Sequence, residues 1–335
     1  MPEEAQVTVR FGLLGAGRIG KVHARAVAGN PDAELVAVAD AMPKAAADIA
    51  ERYGCAVRSI EAIGAAGDID AVVVCTPTDT HADLIERFAR AGKAIFCEKP
   101  IDLDVARVER CLKVVAETGA TLMVGFNRRF DPHFMAVRKA IDEGSIGEVE
   151  MVTITSRDPG APPADYIKRS GGIFRDMTIH DFDMARFLLG EEIAKVAASA
   201  SVLVDRTIGE LGDYDSVSVI LTTRSGRQCV ISNSRRATYG YDQRIEVHGS
   251  AGMVAAENQR PVSIEVANAK GYTRPPLHDF FMTRYLDAYA NEIAAFIEAL
   301  KTGGKASPSG DDGLAALRLA DAALRAAKEW RIVEV

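Results

Sequence analysis

GLLGAGRIGKVHARA, residues 12–26, places Gly15, Gly17 and Gly20 in the spacing G-x-G-x-x-G. The spacing alone is weak, because any βαβ unit can turn on glycines. Its flanks decide the reading. RFGLLGA (10–16) has the apolar run of a strand, RIGKVHARAVAG (18–29) has helical periodicity, and ELVAVAD (34–40) reads as the next strand, ending on Asp40. In that setting Gly15 permits the tight turn, Gly17 lets the backbone approach a pyrophosphate, and Gly20 lets helix and strand pack closely. The helix N-terminus, with Arg18 and Ile19, faces the phosphates. Asp40 is placed to accept from ribose hydroxyls, and a ribose phosphate there would meet its charge, so the expected cofactor is NAD.

The same rhythm continues outward. PKAAADIAERYG (43–54) reads as a helix closed by Gly54, and AVVVCTP (71–77), AIFCEKP (94–100) and TLMVGFN (121–127) as strands separated by amphipathic stretches at 78–92 and 102–119. Alternating strands and helices imply a doubly wound parallel sheet of about six strands. Beyond residue 128 the pattern changes. EVEMVTITS (148–156), KVAASASVLV (195–204), SVSVILTTRSGRQCVISNS (216–234) and DQRIEVHGSAGMVAAE (242–257) read as long strands, with hairpin turns at 225–226 and 249–252. The expected fold class is α/β: a Rossmann doubly wound sheet over 1–125, then a C-terminal α+β domain over 126–335 with a large, mostly antiparallel open sheet. Segments 285–301 and 311–328 read as closing helices; the last belongs to the second domain or packs back on the first. SVSVILTT suggests apolar side chains on both faces of its strand, hence a subunit interface on the open face, with a buried helix as the alternative. RDPGAPPADYIKRSGG (157–172) is the longest piece without a pattern, and is expected to be an active-site loop.

Composition excludes several classes. A chain of 335 residues exceeds what one core usually organises, so two domains with a cleft between them are expected. With 40 basic and 47 acidic side chains, a net charge of −7 and no basic run, nucleic acid and anionic membranes are poor partners. MPEEAQVTVR has no apolar segment of the kind that directs export, and no later run approaches the ~20 apolar residues that cross a bilayer, so a cytoplasmic protein is expected. The five cysteines are scattered, without a Cys-x-x-Cys pair, and read as reduced and mostly buried.

Ligands of open α/β sheets lie beyond the carboxyl ends of the strands. Here those ends read CTPTDTH (75–81), CEKP (97–100) and GFNRRFD (125–131). They offer Thr76, Pro77, Glu98 and Lys99 to the cofactor, and Asn127 and Arg128 to a substrate. His81 is either a neighbour of the nicotinamide or a structural cap. A second cluster lies in GGIFRDMTIHDFDMARFLLG (171–190), read as one helix, where Asp176, His180 and Asp183 fall at i, i+4 and i+7. Two carboxylates around an imidazole can hold His180 ready to take a proton. A metal-binding row and a purely structural face are the competing readings, and no complementary ligand set supports the metal.

GAGRIGKVH, TPTDTH, EKP at 98–100, GFNRRFD and DMTIHDFD at 176–183 together resemble the Gfo/Idh/MocA oxidoreductases along nearly the whole chain. The stretch from Ser156 to Glu192 is most similar to bacterial myo-inositol 2-dehydrogenases. The resemblance implies NAD as cofactor, a homodimer or homotetramer formed through the open sheet, and Lys99, Asp176 and His180 as the catalytic trio. It implies oxidation of myo-inositol to 2-keto-myo-inositol without a metal. His180 would be the base, Asp176 its orienting partner, and Lys99 the stabiliser of the developing alkoxide. A cyclic polyol needs several hydroxyls held at once, which suits Asn127, Arg128, Asp158, Tyr166 and Asp183. Arg128 or Arg129, Asp183, Tyr239 and Tyr241 match family pocket positions less closely than the catalytic trio matches its own. The rivals are a scyllo-inositol or aldose dehydrogenase of the same family and, from another class, an NAD-binding regulator without turnover.

Overall fold

The structure, a computed structural model, describes residues 8–335. The polar stretch 1–7, part of the reading above, lies outside the described residues. The described residues divide into two units, residues 8–130 with 286–315 and residues 131–285 with 316–335. The single cut expected after residue 125 is therefore replaced by three.

The first unit holds six parallel strands: β1 (Val9–Leu14), β2 (Ala33–Ala39), β3 (Ala56–Val57), β4 (Ala71–Val74), β5 (Ala94–Glu98) and β6 (Leu122–Gly125), in the order β3-β2-β1-β4-β5-β6. Helices α1 (Arg18–Ala28), α2 (Pro43–Tyr53), α3 (Ile60–Ala65), α4 (His81–Arg90) and α5 (Val105–Thr118) connect them. Strands covered on both faces need no polar alternation, and all four residues of β4 and of β6 are buried. The order reverses between β1 and β4, the switch point where such sheets bind ligands.

Residues 286–315 return to this unit because the helix Leu286–Thr302 lays Ile293, Phe296 and Ile297 into the core formed by Phe11, Leu13, Val73 and Phe96. The last helix, Gly310–Glu329, crosses the border between the units. Its start packs so closely that a Cβ on Gly310 would come within 2.3 Å of Leu112 Cδ2.

In the second unit a seven-stranded sheet is built from β7 (Val149–Arg157), β8 (Ile193–Ser201), β9 (Ser216–Thr223), β10 (Gln228–Ser234), β11 (Asp242–Gly249), β12 (Gly252–Ala256) and β15 (Val333–Glu334). A separate hairpin pairs β13 (Val266–Asn268) with β14 (Gly271–Thr273). The order is β12-β11-β7-β10-β9-β8-β15; β7 and β10 run parallel and every other pair is antiparallel. Helices α6 (Pro132–Asp142), α7 (Ala164–Ser170), α8 (Ile173–Asp176) and α9 (Thr178–Leu189) belong to this unit.

Three local expectations are corrected. β9 alternates strictly, with Val217, Val219 and Leu221 buried and Ser218 and Ile220 exposed, so only Ile220 is apolar on its open face. The stretch 157–172 contains α7, started after Pro163 and ended by Gly171 at φ +81°. The single helix expected over 171–190 is interrupted at Met177, which separates α8 from α9 while keeping the right-handed sense at φ −101°, ψ −59°.

Candidate active site

The glycine loop lies at the carboxyl end of β1. Gly15 has φ +96°, and a Cβ there would approach Cys75 O to 2.6 Å. A Cβ on Gly20 would reach Gly15 O at 2.0 Å, which explains both residues by protein packing. Gly17 is different: a Cβ there meets nothing within 4 Å. Packing does not require glycine at that position, whereas close approach by a ligand does. Asp40 Oδ2 accepts from Ala16 N at 2.5 Å and Oδ1 from Met42 N at 2.7 Å. The carboxylate is thereby held beside the loop with lone pairs left to receive hydroxyls. Arg18 is exposed and Ile19 half-buried on the first turn of α1.

The other strand ends of this unit share the same edge because the sheet is parallel. Thr76 Oγ1 pairs with Thr80 Oγ1 at 2.6 Å, shaping the turn that carries Pro77. His81 is buried, and its ring bridges two carbonyls, Pro100 O at 2.8 Å and Thr76 O at 2.7 Å. The imidazole is thereby held between the loops after β4 and β5. Lys99 follows directly on β5 and is half-buried; Asn127 and Arg128 follow β6 and are buried. Arg129 is held by Asp312, Nη2 to Oδ1 at 3.0 Å.

In the second unit the parallel pair β7 and β10 brings Asp158 and Arg235 to one edge. Asp158 N donates to Ser234 O at 2.9 Å, tying the two strand ends together. Arg235 is buried and forks between carboxylates: Nη1 to Asp158 Oδ2 at 3.2 Å and Nη2 to Asp176 Oδ2 at 2.7 Å. Burial works against its charge, but Asp176 and Asp158 outweigh that and push the guanidinium above its ordinary value. The Tyr166 ring is half-exposed while its hydroxyl donates to Asp176 Oδ1 at 2.6 Å. Burial and the Asp176 carboxylate push that hydroxyl up, so Tyr166 stays a donor.

The start of α9 is pinned from below. Thr178 Oγ1 donates to Asn233 Oδ1 at 2.7 Å, Asn233 Nδ2 to Asp181 Oδ2 at 2.8 Å, and Ser156 Oγ to Asp181 Oδ1 at 2.6 Å. His180, half-buried, stands on this anchored first turn. Asp213 Oδ1 accepts from Ile173 N at 2.9 Å and so caps α8, the helix that ends on Asp176.

Comparison with known proteins fixes the family. Residues 9–126 match the model of the oxidoreductase family with an NAD-binding Rossmann fold, and residues 134–255 match the GFO/IDH/MocA C-terminal domain. The chain belongs to the Gfo/Idh/MocA oxidoreductases. It is 78% identical over 98% of its length to an inositol 2-dehydrogenase of Rhizobium meliloti, covering 100% of that protein. It is 44% identical to a myo-inositol 2-dehydrogenase of Thermotoga maritima, covering 98% of both chains. The crystal structure of a putative myo-inositol dehydrogenase from Sinorhizobium meliloti superposes with a TM-score of 0.97 at 78% identity, covering 98% of this chain and 100% of that one.

Within this oxidoreductase the glycine loop and Asp40 fit a dinucleotide of the NAD type. Asp158, Tyr166 and Asp176 form one bonded cluster. Asp183 is buried rather than presented on an open helix face. Tyr239 stands apart from the cluster: its hydroxyl donates to Asp242 Oδ2 at 2.6 Å and accepts from Arg157 Nη1 at 3.1 Å, beside a cavity of about 440 Å³ lined also by Arg244, Arg260 and Arg274. Tyr241 packs against Phe280 and Tyr285 and is a core residue. Arg235, Asp181, Asn233 and Asp213 escape the sequence reading. Arg235 could have been found only from the β7–β10 pairing, since the sequence offers two adjacent arginines in SRRAT with nothing to separate them.

Proposed function

We propose that this oxidoreductase oxidises myo-inositol to 2-keto-myo-inositol with NAD. The observation that carries the reading is the Asp158–Arg235–Asp176–Tyr166 cluster, in a chain 78% identical to an inositol 2-dehydrogenase. Bound NAD supplies the acceptor for the carbinol hydride. His180 takes the hydroxyl proton, and Asp176, held by Arg235 and Tyr166, orients the imidazole and balances the charge it gains. Lys99 donates to the reacting oxygen and stabilises the developing alkoxide. Gly15, Gly17, Arg18, Ile19 and Gly20 hold the pyrophosphate, Asp40 the ribose, and Thr76, Pro77, Glu98 and Lys99 the nicotinamide end. Asn127, Arg128, Asp158, Tyr166, Asp183 and Tyr239 are the proposed substrate contacts, with Tyr239 the weakest of them because its hydroxyl is engaged elsewhere.

The proposed setting is cytoplasmic inositol catabolism; among the described residues no helix is long and apolar enough to cross a membrane. The proposed assembly is a homodimer or homotetramer through the open face of the second sheet, where Met151, Ile220 and Met253 are exposed. The test is NADH formation from NAD with myo-inositol, scyllo-inositol and glucose in parallel. Turnover of myo-inositol with the highest kcat/KM is expected. Preference for either other substrate replaces the substrate assignment, and no turnover with any of them favours an NAD-binding regulator.

A further inference from the structure

Behind the edge that carries Lys99, the first unit buries three clustered titratable side chains, two of which, His23 and Glu292, have no part in the proposed binding or chemistry. His23 of α1 and Glu292 of the helix Leu286–Thr302 are fully buried, and Glu98, the last residue of β5, is 9% exposed. His23 Nε2 lies 2.6 Å from Glu98 Oε1 and 3.9 Å from Glu292 Oε1. Among the described residues, neither oxygen of Glu292 has a hydrogen-bond partner, and neither does His23 Nδ1. The imidazole is clasped by Phe96 and Tyr289, with ring centroids at 5.0 and 5.5 Å. Gly125 makes room for the carboxylate, since a Cβ there would stand 3.2 Å from Glu98 Cδ. Cys75, at the end of β4, and Cys97, next to Glu98 on β5, are further titratable neighbours, and burial keeps both thiols protonated.

These residue types also suit a metal, but the distances do not. Two ligands on one ion with bonds near 2.0–2.2 Å stand about 3.3–3.6 Å apart in a tetrahedron. A gap of 2.6 Å between His23 and Glu98 is that of a direct hydrogen bond. A buried acid in an apolar core destabilises a fold, so its presence calls for a return elsewhere. The return lies one residue along the chain.

We propose that His23 and Glu292 are positioning residues for Lys99: they fix the carboxylate of Glu98 and so anchor the last residue of β5, from which Lys99 leaves. His23 donates from Nε2 to Glu98, and Glu292 closes the pocket behind the imidazole. The anchor is built from α1, β5 and the returning helix, so it fixes the strand end against two layers of the unit. The inference rests on the proposed role of Lys99 at the reacting oxygen.

The test is a double-mutant cycle between His23→Phe, which keeps the ring contacts and removes the hydrogen bond, and Lys99→Ala. His23→Phe is expected to lower kcat by ~10-fold to 100-fold, the scale of a catalytic group displaced by about 1 Å, with NAD affinity within about threefold of the parent. Combined with Lys99→Ala it should add nothing beyond Lys99→Ala alone, because the effect runs through that lysine. Full multiplication of the two losses, or a parental kcat in His23→Phe, overturns the inference while leaving Lys99 its role. A parental kcat in Lys99→Ala instead overturns the role itself. Should His23→Phe fail to fold, Glu292→Leu replaces it in the cycle, with Glu292→Gln expected to restore at least half of the lost kcat; no restoration overturns the inference. One equivalent of divalent metal retained through dialysis of the purified protein overturns it as well.

Discussion

Replacing Arg235 by methionine keeps most of the stem volume and removes the charge that stands between Asp158 and Asp176. The arginine side chain is 5% exposed and the two carboxylates 12% and 10%, so water cannot take over the lost hydrogen bonds. Removing one partner of such a buried arrangement costs about 3–5 kcal/mol, much of it from the charge left behind. For a folding unit of this size each kcal/mol moves the melting midpoint by about 2–4 °C, so a fall of about 6–20 °C is expected. Arg235→Lys keeps the charge but cannot fork to both acceptors, and should fall between parent and methionine variant. Removing the stranded charges with Asp158→Asn and Asp176→Asn in the Arg235→Met background should raise the midpoint again. Thermal melts followed by near-ultraviolet dichroism read all four proteins. A midpoint within about 2 °C of the parent in Arg235→Met, well below that range, or a further drop in the triple variant, refutes the reasoning.

Other outcomes follow from the same geometry. Asp40 beside the glycine loop should favour NAD over NADP by roughly 10-fold to 1000-fold in kcat/KM, at ~1.4 kcal/mol per decade, and Asp40→Ser with Ala41→Arg should narrow or reverse the gap; equal rates with the two cofactors in the parent contradict the placement at the ribose. Burial, with Glu98 nearby, pushes the Glu292 carboxyl well above its ordinary value of 4.5. The folded state therefore keeps a proton that the unfolded chain releases above that value, and stability from this group is lost as pH rises from it. Glu292→Gln should melt with the parent near pH 4 and above it at pH 7, as this linkage requires; a lower midpoint at neutral pH shows that the group is charged in the fold. Gly172→Ala places a Cβ 2.7 Å from Asp213 Oδ1 at a φ of +85°, and should cost about 1–3 kcal/mol in melts and lower kcat by disturbing α8.

What the sequence makes legible is what local chemistry determines. The glycine spacing, the apolar runs and Asp40 each act within one βαβ unit, and the parallel sheet follows from them. The cluster at 176–183 is visible for the same reason, one turn of helix at a time. What escapes depends on partners far along the chain. Arg235 gains its meaning from a strand pairing across about 80 residues, between β7 and β10. The return of 286–315 to the first unit depends on where one apolar stripe finds a core. Glu292 left a trace that could have been caught: it lies with Ala288, Tyr289, Ile293, Phe296 and Ile297 on the buried face, a charged residue at the period of the apolar stripe. The break at Met177 left only a faint trace, the weak helix formers Asp176 and Thr178 on either side of it; the bonds of Thr178 and Asp181 to Asn233 and Ser156 of the sheet are invisible in the sequence.

The central claim is that His180 and Lys99 act on the hydroxyl of an inositol while NAD accepts the hydride. Its most direct test is the steady-state formation of NADH from myo-inositol by the parent, His180→Ala and Lys99→Ala, with NAD affinity measured on each protein. Turnover by the parent, with kcat lower by ~10² to 10⁴ in each variant and NAD binding retained, is the predicted result. Either variant turning over within about threefold of the parent, far short of that loss, or a parent that forms no NADH from myo-inositol, would contradict it.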